Sequence, residues 1–114
     1  MTRAAGKRIA VGILAALAAS AAGVEVAQAV GDHLIKQQNR SFSQRRLTVD
    51  RGDVVNFTND DEFIHHVYVK SDAFNFDSGE QDIGKTIQIT FSRDGTFDVQ
   101  CAIHPKMRLV VTVK

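Results

Sequence analysis

The sequence predicts an all-β domain over residues 30–114, a sandwich or barrel of short strands. Three observations carry this. Apolar and polar residues alternate through several short runs, as in half-buried strands. Turn residues (Gly, Asp, Asn, Ser) separate these runs about every 8–12 positions. No stretch after residue 30 keeps a helical period, and none repeats another.

The elements follow in order. "HLIKQQ" (33–38) and "RRLTVD" (45–50) read as the opening strands. The turn-like "DRGD" (50–53) leads into "VVNFTN" (54–59). "NDDE" (59–62) reads as an acidic, solvated turn, or as a docking patch, before "HHVYVK" (65–70). "TIQITF" (86–91) runs into "SRDG" (92–95), which reads as a hairpin turn on Asp94-Gly95, and then "TFDVQC" (96–101). "RLVVTVK" (108–114) closes the chain. Side chains on a strand point alternately to opposite faces. Ile87, Ile89 and Phe91 therefore share one face, and Phe97, Val99 and Cys101 another. His65 aligns with Val67 and Val69 on the core side, while His66, Tyr68 and Lys70 point away. Cys101 thus ends a strand facing inward, and His65 opens one facing inward.

Residues 1–29 read differently. Arg3, Lys7 and Arg8 precede an apolar run from Ile9 to Val24, and Ala27-Gln28-Ala29 is a small-x-small triplet. That is the layout of a secretory signal peptide. The run falls short of the ~20 apolar residues that span a bilayer comfortably. Ala22 offers an earlier cleavage point, and the alternative is an uncleaved anchor. An exported, periplasmic protein is expected, with no stable membrane association once the signal is removed. Without residues 1–29 the chain of 114 keeps 85, and its formal charge moves from +1 to −1. That balance gives no electrostatic case for nucleic acid or for anionic membranes.

Small exported domains often rely on disulfides or a metal. Cys101 is the only cysteine, so no disulfide can form within the chain. The thiol must pair between chains, lie buried and inert, or hold a metal. It opens "CAIHPKM" (101–107), which also contains His104 and Met107. With inward-facing His65, these offer a thiolate, two imidazoles and a thioether. A His₂Cys set with a weak axial Met is the blue-copper electron-transfer site. His66 is the alternative ligand, and the alternation sets it aside. His33 reads as a surface residue. Asn39-Arg40-Ser41 and Asn56-Phe57-Thr58 match glycosylation sequons and are read as chance.

"GDVVNFTN" (52–59), "HHVYV" (65–69), "FDSG" (76–79), Gly84, "TFSRDGTFDVQC" (90–101) and "HPKM" (104–107) together resemble the cupredoxins, and more closely the plastocyanin/amicyanin family. The resemblance spans about Leu34 to Lys114. It implies an eight-stranded Greek-key sandwich, one type 1 copper on His65, Cys101, His104 and Met107, and a one-electron shuttle. Two residues between His104 and Met107 match the short, amicyanin-like loop. Two positions depart from the family pattern. His66 stands where Asn usually braces the ligand loop, and Arg108 follows Met107 where Gly is common.

Three function classes compete. An electron carrier fits the ligand set best. A copper carrier or copper-homeostasis protein calls for Met- or Cys-rich clusters that a chain with one Cys and two Met lacks. An enzyme needs a second centre, and only His33 and His66 remain to build it. The expected partner is a larger redox enzyme or cytochrome docking near His104, with Lys106 and Arg108 as a basic collar, and the chain is expected to be monomeric.

Overall fold

The structure is a computed structural model that describes residues 31–114; the expected signal peptide lies outside the described residues. Nine strands run in chain order: β1 (Asp32–Gln38), β2 (Ser41–Phe42), β3 (Arg46–Val49), β4 (Val54–Asn59), β5 (Val67–Val69), β6 (Phe76–Asp77), β7 (Thr86–Thr90), β8 (Gly95–Cys101) and β9 (Arg108–Val113). There is no helix among the described residues. One sheet has the order β2-β1-β4-β7 and the other β3-β9-β8-β5-β6. Each contains one parallel pair, β1 with β4 and β3 with β9. Only β1–β2, β5–β6 and β8–β9 join sequence neighbours within a sheet; every other connection crosses between sheets.

The alternation read from the sequence sets the core. β4 buries Val55, Phe57 and Asn59, β8 buries Phe97, Val99 and Cys101, and β9 buries Leu109, Val111 and Val113. Phe91 and Phe97 meet with Phe74 in a ring cluster, their centroids 5.4–6.3 Å apart. Burial of such side chains is the main stabilising contribution in a domain of this size.

Residues 92–95 do not form the expected hairpin. β7 pairs with β4, whereas β8 pairs with β5 and β9 in the other sheet. Phe91 explains the crossing. Its N–H donates to Asp53 O at 3.0 Å, and its carbonyl accepts from Gly52 N–H at 2.7 Å, so the chain stays tied to the first sheet until the ring is buried. Gly95 then turns the chain with φ 139°, and a Cβ there would lie 3.2 Å from the Phe97 ring.

The two-residue strands β2 and β6 lie outside the strands read from the sequence. β2 follows a tight turn in which Asn39 and Arg40 both have positive φ, 54° and 55°. Two-residue hairpin loops need that backbone, but Arg40 is not a residue type that announces it. His33 is half-buried rather than free on the surface, with Nε2 3.0 Å from Asp53 Oδ2. Asp53 also accepts the N–H groups of Gly31 and Asp50, both at 2.9 Å.

Two predictions follow from this packing. Phe57 is fully buried, so Phe57→Ala should lower the unfolding free energy in urea by about 3–5 kcal/mol. The His33 side chain first, and then the Asp50 N–H, hold the Asp53 carboxyl below its ordinary 3.8. A lowered folded value means that the ionised form stabilises the fold above the ordinary pKa, and that this stability is lost as pH falls through the lower, folded value. The urea midpoint of Asp53→Asn should therefore fall less than wild type between about pH 6 and about pH 3.

Candidate metal centre

β5 and β8 pair with Val67 opposite Cys101, which places the end of β8 beside the start of β5. His65 lies just ahead of β5, where its backbone exchanges two hydrogen bonds with Gln81 (3.1 and 2.6 Å). After Cys101 the chain turns at once. Ala102 N–H donates to His66 O at 2.9 Å, and Met107 N–H closes the loop onto His104 O at 2.9 Å. The expected residues thus collect at one end of the sandwich.

Three donor atoms converge there. Cys101 Sγ is 3.6 Å from His65 Nδ1 and 3.9 Å from His104 Nδ1, and the two Nδ1 atoms are 3.2 Å apart. Cys101 and His65 are buried and His104 is half-buried. Met107, the only methionine among the described residues, is buried in the same loop. His66 does not join them. Its ring points to Asp77, with Nε2 2.6 Å from Oδ1, while its backbone N–H approaches Cys101 Sγ at 3.4 Å.

Asp61 is the residue that the sequence reading misplaced. It is buried, not part of a solvated turn. Its Oδ2 lies 3.0 Å from His65 Nε2 and accepts Arg40 N–H at 2.7 Å, and its Oδ1 accepts Glu62 N–H at 2.8 Å. Burial pushes this carboxyl up, but the Arg40 and Glu62 N–H groups and the His65 ring outweigh it and hold it below the ordinary value. An ionised carboxylate accepts only, so Nε2 of His65 carries the proton and Nδ1 turns a bare lone pair toward Cys101 and His104. Asn59 fixes the loop by accepting Asp61 N–H at 3.0 Å and donating to Phe63 O and Gln81 O. The one sequence signal for Asp61 was a carboxylate four residues before a ligand-type His.

His104 is brought to the rim by its loop. Its ring meets Phe63 and His65 edge-on, with centroids 5.8 and 4.9 Å away. Burial first, and then the nearby Arg40 charge, lower its pKa below 6.5, which favours the neutral, metal-binding form.

The donor set fits a metal. One ion could reach all three atoms with metal–nitrogen bonds of about 2.0–2.1 Å and a metal–sulfur bond of about 2.3 Å. A thiolate and two imidazoles, with a thioether in the same loop, are the donor set that suits copper.

A sandwich with a thiol and two imidazoles gathered at one end defines a class of small metal-binding β-domains. The family described as copper binding proteins, plastocyanin/azurin family, matches residues 30–114, and the chain belongs to it. Copper is therefore its cofactor. No curated protein matches the sequence significantly. Among solved structures, a reduced amicyanin variant is 26% identical with a TM-score of 0.68, over 79% of this chain and 87% of that one. A novel purple cupredoxin from Nitrosopumilus maritimus is 23% identical with a TM-score of 0.65, over 73% of this chain and all (100%) of that one. A copper-containing nitrite reductase from Thermus scotoductus is 23% identical with a TM-score of 0.67, over 81% of this chain, which spans only 24% of the reductase. These last two likenesses show the fold alone.

Groups that orient a metal-ligating imidazole are worth about 10–100-fold in metal affinity. Asp61→Ala should weaken copper binding by that order in a chelator competition. Asp61→Asn should restore part of it, because its amide oxygen can still accept from Nε2.

Proposed function

We propose that this chain is an exported type 1 blue copper protein, working in the periplasm as a carrier of single electrons. One observation carries the reading: a bare imidazole nitrogen, a second imidazole nitrogen and a thiol meet within 3.2–3.9 Å of one another, and one of the three residues, His104, is only half-buried. His65, Cys101, His104 and Met107 would hold one copper. The copper supplies a one-electron couple that no side chain here has.

The protein's own residues keep the site still. Cys101 is fixed by its pairing with Val67 and by the His66 N–H, and His65 is fixed from behind by Asp61. A site held in place before the metal arrives has little to rearrange when its charge changes. His104 is the route out, since its ring edge reaches the rim among Phe63, Ile103 and Pro105, all exposed. Redox encounters use small, weak interfaces, and an apolar patch of this size suits one. The partner on this reading is a larger redox enzyme or cytochrome that touches His104.

An electron carrier is favoured over an enzyme because the remaining histidines are apart from the centre and occupied. His33 is held by Asp53 and His66 by Asp77.

The copper-loaded protein should show an intense thiolate-to-copper band in the visible, bleached reversibly by a reductant. Cys101→Ser should remove the band, because a hydroxyl cannot form that soft covalent bond. A Cys101→Ser variant that keeps its colour would refute the assignment. Copper should also raise thermal stability. Binding to the native state alone adds about 4 kcal/mol at a thousandfold excess over Kd, so equal melting temperatures for apo and loaded protein would contradict it.

A further inference from the structure

The rim of His104 is strongly basic on one side. Arg40 and Lys106, with Ile103 and Pro105, line a shallow pocket of about 320 Å³ against the His104 ring. Lys106 continues into a second hollow of about 440 Å³, where Arg45, Arg46 and Arg108 join it. The two hollows share Lys106, so these side chains form one crescent leading away from the ring. The sequence reading put only Lys106 and Arg108 there. β3 and β9, paired side by side, bring Arg46 opposite Val110, and Arg45 accepts Val110 N–H through its carbonyl at 2.9 Å.

The charge of this crescent is largely uncompensated. Arg108 pairs with Asp98 at 2.9 Å, but Arg45, Arg46 and Lys106 pair with no carboxylate among the described residues. Residues 30–114 carry a formal −1, so the positive field belongs to this face and not to the domain as a whole. Asp60 and Glu62 of the loop between β4 and β5 are both exposed, and Asp61 between them accepts the Arg40 N–H.

Arg40 is also held in a backbone conformation that its residue type disfavours. Its φ is 55°. Its N–H donates to buried Asp61, and its guanidinium lies over the Phe63 ring, 4.5 Å from the centroid. Strained positions of this kind persist where the surroundings over-determine them, and they gather at functional sites. The consequence here is a cation fixed beside the electron exit.

We infer that this crescent docks a protein carboxylate patch: the redox partner presents an acidic surface, with one carboxylate entering the pocket between Arg40 and Lys106 next to His104. The inference rests on the electron-carrier reading and adds the partner's chemistry. His104 itself lines the pocket between Arg40 and Lys106, so whatever fills it lies beside the electron's exit, where a protein redox partner and not a lipid surface would accept the electron. Complementary charge of this kind sets encounter rate and orientation more than final affinity.

The test uses copper-loaded, reduced protein and two one-electron oxidants of opposite charge, hexacyanoferrate(III) and tris(phenanthroline)cobalt(III), in stopped flow. Each takes one electron from the protein and is itself reduced by one. The trianion should react faster at low salt, and its rate should fall as salt is added. Arg45→Glu with Arg46→Glu should lower that low-salt rate by about tenfold and reverse its salt dependence, while the trication rate does not fall. Arg40→Asn places a residue type that tolerates positive φ, so it should fold at least as well and still slow the trianion. An acidic redox protein should show the same salt and variant pattern. Salt slopes that are equal for wild type and the charge-reversed variant would overturn the inference. So would capture of wild type, but not the variant, by phosphatidylglycerol vesicles with unchanged oxidant rates, because the crescent would then be a lipid surface. Failure to pass an electron to either oxidant at any salt would overturn the carrier reading itself.

Discussion

The bond between Asp61 and His65 decides which nitrogen the buried imidazole can offer. With Nε2 3.0 Å from a buried carboxylate, the ring has one tautomer and one orientation, and Nδ1 is left bare toward Cys101 and His104. Much of the surrounding structure serves this bond. Arg40 and Glu62 give their N–H groups to the same carboxylate, and Asn59 pins the loop that carries it. Gln81 holds His65 by its backbone, and its side chain donates to Phe57 O in β4 and to Lys85 O just before β7. Gln37 completes the chain by donating to Gln81 Oε1 at 2.7 Å. Buried polar groups hydrogen-bonded in this way specify a single arrangement where an apolar core would tolerate several.

The two sheets divide the work. One contributes the strand pair β5 and β8, which sets the cysteine beside the first histidine. The other contributes β1 and β4, whose ends supply Gln37, Asn59 and, just beyond, Arg40 and Asp61. The site lies where the ends of both sheets meet, so its geometry depends on how the sheets pack. This is why a core residue such as Phe57, whose carbonyl accepts from Gln81, belongs to the same structural unit as the ligands. The surface follows from the same arrangement. The turn that carries Arg40 buries its backbone against Asp61 and leaves its guanidinium at the rim.

Much of this was legible in the sequence. Alternation alone placed His65 and Cys101 inward and His66 outward, and each lies as expected, because a side-chain period of two leaves little choice once one face is buried. What failed were inferences about partners in space. Asp94-Gly95 has the composition of a hairpin turn, yet Phe91 keeps the preceding strand in the other sheet, and turn chemistry says nothing about which sheet a strand joins. Asp61 sits between two exposed acids and looks like them; only the fold shows that it points inward to His65. Arg40, Arg45 and Arg46 are remote in sequence from Lys106 and Arg108, and only the pairing of β3 with β9 and the β1–β2 turn brings them to one face.

The claim that all of this depends on is a single copper held by His65, Cys101, His104 and Met107. Anomalous diffraction at the copper absorption edge, on crystals of the loaded protein, tests it most directly. The account predicts one strong peak bonded to Nδ1 of His65, Sγ of Cys101 and Nδ1 of His104, with the Met107 sulfur completing the site at a longer distance. A peak on His66, a peak that omits Cys101, or no peak at this end of the sandwich would contradict it.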